Sequence, residues 1–191
     1  MVAYMFMDFK PYKNVIFDFD QTLATIIMDW SSWYPGVMSI IKRFEPNFDE
    51  NTDFHMYAIH QFINKYGKAF RDDYIQFELK MEKENYQGYQ LIETTFNLLQ
   101  TFYQQGKNLY LLTSNSREVV SPILKELQIA DHFDKIITLD DVENVKPSPA
   151  PFKLIASDKI DKSQYLMIGD SISDREFAQN VEIGYLDVKD L

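Results

Sequence analysis

Short, uninterrupted apolar runs recur along this chain, and several of them end in a cluster of polar or acidic residues. The runs do not alternate apolar with polar side chains, which is typical of strands buried on both faces of a parallel sheet. Five such strands are predicted, at residues 15–17, 109–112, 136–137, 165–168 and 183–186. Helix-like segments separate the later strands, near residues 96–105, 118–127 and 152–157. The pattern predicts an α/β fold, with a Rossmann-like parallel sheet of about five strands and helices on both faces.

The stretch from residue 24 to residue 89 lacks this alternation, and we interpret it as a small all-helical cap domain inserted into the core. The core would then comprise residues 1–23 and 90–191. Asp53 is expected to cap the second cap helix and Gly67 to end it. The three cap helices are expected near residues 36–44, 53–66 and 70–84.

Aromatic residues are concentrated in this insert, and small helical domains need large apolar side chains to stay folded. We therefore expect them to pack the interior of the cap, with a pocket that stacks on an aromatic substrate as the alternative. The residues in question are Trp30, Trp33, Tyr34, Tyr57, Tyr66, Tyr74 and Tyr86.

Charge and composition narrow the classes of partner. The chain has 191 residues, with 29 acidic against 19 basic ones and a formal net charge of −10. A nucleic acid or an anionic membrane surface is therefore not expected as the main partner, since either would need a basic patch. The absence of cysteine excludes a disulfide framework and a thiol nucleophile. Without an apolar run long enough to cross a membrane or the features of a secretory signal, the chain is expected to be soluble and cytoplasmic.

Polar residues that follow the predicted strands are expected to converge, because open α/β sheets bind ligands at the carboxyl ends of their strands. Several carboxylates held together repel one another unless a cation joins them, and oxygen ligands suit a hard cation such as Mg²⁺. If the bound ligand carries a phosphoryl group, one carboxylate could attack its phosphorus while a second protonates the leaving oxygen. The candidate residues are Asp18, Asp20, Thr22, Thr113, Ser114, Asn115, Lys146, Asp170 and Asp174.

Four motifs in this order resemble those of the haloacid dehalogenase-like hydrolase superfamily, in particular phosphatases with a helical cap, such as phosphoglycolate phosphatase-like members. The resemblance covers nearly the whole chain, and the insert occupies the position of the family's cap. The motifs are Asp18-Phe-Asp20-Gln-Thr22, the strand ending at Thr113, Lys146-Pro147, and Gly169-Asp170-Ser-Ile-Ser-Asp174.

The resemblance implies that Asp18 is the nucleophile and that Asp20 is first the general acid and then the general base. It also implies a Mg²⁺ site formed by Asp18, the main-chain carbonyl of Asp20, and Asp170. The expected reaction is Mg²⁺-dependent hydrolysis of a small phosphorylated metabolite through an aspartyl-phosphate. Because Asp20 is present, phosphoryl transfer is favoured over carbon–halogen cleavage.

For the phosphoryl group, the resemblance implies binding by Thr113 and Lys146, with Asn115 beside them and Ser114 as a rival for the hydroxyl. Asp174 would support the site, and the turn at Thr22 belongs to the first motif. These residues also have structural interpretations. Thr113 and Asn115 could simply cap the following helix, and the segment 173–176 has the spacing of a capping box.

Two further features bear on the site. Gln21 stands where the family often has glycine, so it would be strained if the turn needs a positive φ. Asp140 and Asp141 follow the third strand of the core, and we interpret them as solvated loop acids outside the site.

Three other functions share parts of this pattern. A phosphomutase on the same scaffold would return the phosphoryl group to a sugar. A receiver domain also combines carboxylates, a hydroxyl and a lysine, but it is shorter and has no large insert. A non-catalytic relative would bind a phosphorylated ligand without turnover. No residue in the sequence specifies the substrate, or whether the chain is a monomer or a homodimer.

Overall fold

The computed structural model describes residues 8–50, 59–156 and 161–191, and its largest element is a parallel sheet of five strands. Including a separate strand pair, the described chain contains the strands β1 (Asn14–Phe17), β2 (Ala24–Met28), β3 (Tyr86–Leu91), β4 (Asn108–Leu112), β5 (Lys135–Ile137), β6 (Tyr165–Gly169) and β7 (Gly184–Asp187). The helices are α1 (Trp33–Phe44), α2 (Ile59–Tyr66), α3 (Lys68–Asn85), α4 (Glu93–Gln104), α5 (Arg117–Glu126), α6 (Phe152–Ile155) and α7 (Ile172–Val181). The predicted α/β fold is confirmed.

The order of the sheet, β5-β4-β1-β6-β7, puts the first strand in the middle. β1 pairs in parallel with both β4 and β6, so that Phe17 lies beside Leu111 on one side and Ile168 on the other. All residues of β1 and β6 are buried, which explains why their sequences are apolar without alternation. The chain segments that follow β1, β4 and β6 therefore meet at one edge of the sheet.

Helices pack on both faces of this sheet. On one face, Ile16 and Met167 belong to a buried cluster that includes Phe152 of α6 and Phe177 of α7. On the other face, the ring of Phe17 lies 6.4 Å from that of Phe102 in α4. Neighbouring residues of β1 thus point to opposite layers, as expected for a strand.

The described chain divides into two compact units. One contains the residues up to Ile26 and those from Tyr89 to Leu191, and the other contains Ile27–Gly88. Strands β2 and β3 form a two-stranded sheet where the chain passes from one unit to the other. The interpretation of residues 24–89 as all-helical was therefore wrong at both ends. The local pattern does not indicate this sheet because its two strands are separated by most of the insert.

Among the described residues of the second unit are three α-helices, of which α3 packs against both α1 and α2. The ring of the fully buried Phe70 lies 5.3 Å from that of Phe44 and 5.4 Å from that of Phe62. Gly67 ends α2 with a φ of 66°, a conformation that glycine adopts without strain. The expected cap at Asp53 lies outside the described residues.

The aromatic residues expected to pack this unit differ in their environments, and one of them, Tyr57, lies outside the described residues. Trp33 and Tyr74 are buried, in agreement with a packing role. Trp30, Tyr34 and Tyr86 are exposed by 40%, 39% and 37%, so packing within the unit does not account for their size.

None of the described helices is sufficiently long and apolar to traverse a bilayer.

A buried carboxylate lies among the helices of this unit. Glu78 of α3 is only 7% exposed, and it accepts a 2.6 Å hydrogen bond from the indole Nε1 of Trp33. Burial raises the pKa of Glu78 to about 7, although hydrogen bonds from Tyr74 and Trp33 favour the charged form. Because the unfolded chain loses this proton near pH 4.5, the free energy of unfolding should fall as the pH rises from 4.5 to 7.

Glu78→Gln is therefore expected to stabilise the helical unit by roughly 3 kcal/mol at pH 8 and by almost nothing at pH 4. Both tryptophans lie in this unit, so urea unfolding followed by tryptophan fluorescence reports on it selectively. The matched control is Glu84→Gln, since Glu84 lies on the same helix with its side chain 60% exposed. Equal stabilities of Glu78→Gln and wild type at both pH values would contradict the prediction.

Candidate active site

Asp18 is the first residue after the central strand, and its backbone N–H donates to the carbonyl of Ile168 at 3.0 Å. It is 7% exposed. Burial raises the pKa of Asp18, and the attraction of Lys146 only partly opposes this effect. A second oppositely charged group, such as a cation, would favour the ionised form that a nucleophile requires.

Lys146 joins two carboxylates inside the protein. Its Nζ lies 2.6 Å from Oδ1 of Asp18 and 2.5 Å from Oδ1 of Asp174. Its side chain is 3% exposed, and that of Asp174 is completely buried. Burial opposes the charge of Lys146, but Asp174 and Asp18 outweigh this effect and raise its pKa. The lysine is therefore charged at neutral pH, within direct reach of the Asp18 carboxylate.

The orientation of Asp174 is set by the start of α7. Its Oδ2 accepts hydrogen bonds from the N–H of Ser171 at 3.1 Å and from the Ser171 hydroxyl at 2.6 Å. The Ser171 hydroxyl oxygen accepts the N–H of Asp174 at 3.2 Å, so the two residues form a capping box. The predicted capping box over residues 173–176 was wrong by two residues. Ser171 and Ser173 both precede an acidic residue by three positions, so the sequence fits either box. A Cβ at Gly169 would lie 2.4 Å from Asp174 Oδ2, so this close approach requires glycine.

Asp170 brings a third carboxylate to the same place. Carboxylate oxygens of Asp18, Asp170 and Asp174 lie within 4.8 Å of one another, an arrangement that could hold a metal ion. Burial, followed by the charge of Asp174, raises the pKa of Asp170 to about 6. The donors are all oxygens, which fits a hard divalent cation.

The loop after β1 turns sharply and carries Asp20. The carboxylate Oδ1 of Asp20 accepts a 2.7 Å hydrogen bond from the N–H of Ile26, and its charge is close enough to raise the pKa of Asp170. Gln21 has a φ of 57°, so the turn does need a positive φ, at a cost of roughly 1 kcal/mol for a residue other than glycine. The Thr22 hydroxyl is buried without a hydrogen-bond partner among the described residues.

The loop after β4 contains the other predicted phosphate ligands. Thr113 is 2% exposed, and its hydroxyl donates to Oδ1 of Asn115 at 2.8 Å while accepting the Asn115 N–H at 3.1 Å. Ser114, by contrast, is exposed. The hydroxyl of Thr113 is therefore held in one orientation by its neighbour, whereas Ser114 faces solvent.

Three groups of residues around this site were missed or misinterpreted in the sequence. Asp140 and Asp141 are exposed, as predicted for loop acids, but their contacts with Arg117 at the start of α5 were not predicted. Ser171 orients Asp174, as described above. Asn180 of α7 donates from Nδ2 to the carbonyl of Pro147 at 2.9 Å, next to Lys146.

Comparison with known proteins agrees with this geometry. The sequence profile described as haloacid dehalogenase-like hydrolase matches residues 15–188. The chain belongs to the haloacid dehalogenase-like hydrolase family. The matched range begins in β1 and continues past β7, so the candidate site residues from Asp18 to Asn180 lie within it.

Relatives of this hydrolase support the assignment. The pyrophosphatase PpaX of Halalkalibacterium halodurans is 27% identical over 185 residues, covering 85% of this chain and 76% of that protein. A structure from Bacteroides fragilis, described as a haloacid dehalogenase-like hydrolase, has a TM-score of 0.61 at 22% identity and coverages of 94% and 88%. A structure from Haemophilus somnus, described as a predicted phosphoglycolate phosphatase, has a TM-score of 0.57 at 19% identity and coverages of 93% and 85%. The two structures share the fold of this hydrolase.

Proposed function

We propose that this hydrolase is a Mg²⁺-dependent phosphatase that cleaves a small phosphomonoester through an aspartyl-phosphate on Asp18. The observation that carries the proposal is the cluster of three carboxylates, Asp18, Asp170 and Asp174, with the buried Lys146 between two of them. So many charges are stable together only when counter-charges neutralise them. Three ionised carboxylates and one ammonium leave two negative charges, which a divalent cation would balance.

Asp18 and Asp170 are the residues that would hold the cation, together with the main-chain carbonyl of Asp20. Both oxygens of the Asp174 carboxylate already accept hydrogen bonds, one from Lys146 and the other from Ser171. These bonds favour a role for Asp174 in holding Lys146 in place over a role as a direct ligand of the cation. When bound, Mg²⁺ would neutralise the carboxylates and polarise the phosphoryl oxygens.

In the first half of the reaction, a carboxylate oxygen of Asp18 attacks phosphorus and the bond from phosphorus to the ester oxygen breaks. Asp20 gives its proton to the departing oxygen. In the second half, Asp20 takes a proton from water as that water attacks the phosphorus of the aspartyl-phosphate. Inorganic phosphate leaves, and Asp18 returns to its free form.

The phosphoryl oxygens need partners throughout. The ammonium of Lys146 and the hydroxyl of Thr113 would bind them, since Lys146 is charged and Thr113 lies at the end of the strand next to Asp18. The Thr113 hydroxyl would turn its proton from Asn115 Oδ1 to a phosphoryl oxygen. These contacts would hold the phosphorus in line with the nucleophile and stabilise the negative charge in the transition state.

Pyrophosphate is a second candidate substrate, favoured by the similarity of this chain to the pyrophosphatase PpaX. The same two half-reactions would then release orthophosphate as the leaving group instead of an alcohol. Both substrates use the same carboxylates and lysine.

The test is phosphate release from p-nitrophenyl phosphate, phosphoglycolate and pyrophosphate, each with Mg²⁺ and with a chelator. We expect turnover of at least one substrate that chelation abolishes and added Mg²⁺ restores. Transfer of the phosphoryl group to a sugar phosphate instead of water would indicate the mutase. Binding of Mg²⁺ without turnover of any substrate would indicate the non-catalytic alternative.

A further inference from the structure

The helix that follows the candidate phosphate-binding loop is capped by residues from outside that loop. The N-cap residue of α5, Ser116, makes no side-chain capping bond to the helix. The carboxylate Oδ2 of Asp140 accepts the N–H of Arg117, the first residue of α5, at 2.7 Å. Because helix N-termini favour negative charge, an acidic group from the neighbouring loop takes over the role of the cap.

A second contact holds the same helix start by its side chain. The guanidinium of Arg117 forms an ion pair with Asp141 and lies 3.4 Å from the carbonyl of Ile136. Asp141 is itself held in place, since it accepts the N–H of Thr138 at 2.8 Å and the Thr138 hydroxyl at 2.9 Å. We name the group Arg117, Thr138, Asp140 and Asp141 the loop clasp.

Two backbone hydrogen bonds complete the connection. The N–H of Leu139 donates to the carbonyl of Asn115 at 3.0 Å, and the N–H of Thr113 donates to the carbonyl of Ile137 at 3.0 Å. The segment from Thr113 to Arg117 is thereby attached to the neighbouring loop at its beginning, middle and end. Such repeated attachment is not needed merely to connect a strand to a helix.

The energetic value of the loop clasp for folding is small. The side chains of Arg117 and Asp141 are 46% and 33% exposed, and ion pairs this exposed contribute little to stability. Their effect on the reaction rate can be much larger, because a displacement of about 1 Å in a group that binds the reacting centre lowers rates by roughly 100-fold. A contact that adds little stability can therefore have a large effect on the reaction.

We infer that Asp140 and Asp141 are positioning residues, which act through Arg117 to fix the loop that binds the transferred phosphoryl group. This inference rests on the proposed function, and it gives a positioning role to two acids that do not contact the reacting atoms. Asp140 sets the backbone of the loop through the first N–H of α5. Asp141 keeps Arg117 at the helix start, so that the segment carrying Thr113 and Asn115 has a single conformation.

The decisive comparison is between Asp140→Ala and Asp140→Asn, because asparagine keeps the hydrogen-bond acceptor without the charge. In the p-nitrophenyl phosphate assay we expect Asp140→Ala to lower kcat/KM by about 10- to 100-fold and to raise the inhibition constant of orthophosphate by about 10-fold. Asp140→Asn should stay within about threefold of wild type, since Asp and Asn cap helices about equally well.

Asp161→Ala is the matched control. Asp161 also caps a short helical turn in the same unit, accepting the N–H of Ser163 at 3.1 Å, but it is not part of the loop clasp. We expect this variant to lose as much stability as Asp140→Ala without a change in kcat/KM. If Asp140→Ala had the same kcat/KM and orthophosphate inhibition as Asp161→Ala, the positioning role would be refuted.

Failure of the proposed function would look different, because wild type itself would then turn over no phosphoester. Calorimetric titration with orthophosphate in the presence of Mg²⁺ would decide the inference in that case. Weaker binding by Asp140→Ala than by wild type and Asp140→Asn would support it. Equal binding by all variants, or no binding by wild type, would overturn it.

Discussion

Replacing Asp18 by asparagine is expected to lower kcat by about 10⁴-fold or more, because the amide has no carboxylate oxygen with which to attack phosphorus. Asparagine has nearly the same shape, so the fold should persist. Burial raises the pKa of Asp18 despite the attraction of Lys146, so the substitution removes a charge that burial disfavours, and Lys146 keeps Asp174 as its partner. The metal-free variant should therefore be at least as stable as wild type above neutral pH, where the wild-type carboxylate ionises.

The loss must be separated from a general loss of structure. Asp8→Asn is the matched control, because Asp8 is exposed and its carboxylate accepts the N–H of Lys10 away from the strand-end edge. Steady-state kinetics with p-nitrophenyl phosphate and urea unfolding should show a variant that is folded but inactive. Activity of Asp18→Asn within tenfold of wild type would mean that the nucleophile is another group.

Lys146→Met is expected to have the second-largest effect, and it should affect both activity and stability. The substitution leaves Asp18 and Asp174 buried side by side without their shared cation. Loss of one partner from a buried ion pair usually lowers the free energy of unfolding by about 3–5 kcal/mol. We expect that decrease at pH 8, together with a loss of kcat/KM of at least about 10³-fold because the phosphoryl group loses its ammonium partner.

The pH dependence of this loss follows from the direction of the pKa shift. Burial already raises the pKa of Asp18, and loss of Lys146 removes the positive charge that opposes this rise, so the contribution of the Asp18 carboxyl to stability is lost as the pH rises. The difference from wild type should therefore shrink when urea unfolding, followed by circular dichroism, is repeated at pH 5.

Lys107→Met is the control for this prediction. Lys107 is a partly buried lysine of the same unit whose ammonium donates to the carbonyls of Phe9 and Tyr12. This control should lose some stability and keep its activity. A Lys146→Met variant that resembled Lys107→Met in both measurements would contradict the role assigned to Lys146.

The fold and the meeting of the main site residues could be predicted from the sequence for a simple physical reason. Parallel strands buried on both faces must be continuously apolar, so their ends are visible as the points where polar residues begin. Asp18 and Asp170 directly follow such strands, and Thr113 follows a third. Because all three strands are parallel and adjacent, their ends must lie at one edge.

Other features depend on pairings that no local pattern records. Strand β2 pairs with β3 across most of the insert, so the local pattern indicates neither strand. Both were interpreted as part of the helical insert, although they lie outside its three predicted helices. The acids of the loop clasp look like solvated loop residues until the sheet brings β4 and β5 together. Ser171 and Ser173 are equally good caps by sequence, and only the contact between Ser171 and Asp174 distinguishes them.

The central claim is that the phosphoryl group is transferred to Asp18 before it reaches water. Its most direct test is rapid acid quenching during turnover in Mg²⁺, followed by mass spectrometry of the proteolysed enzyme. We predict a phosphoryl group on the peptide that contains Asp18, present only while substrate remains and absent from Asp18→Asn. Turnover with no phosphorylated peptide in any quenched sample, or a phosphoryl group on a residue other than Asp18, would contradict the claim.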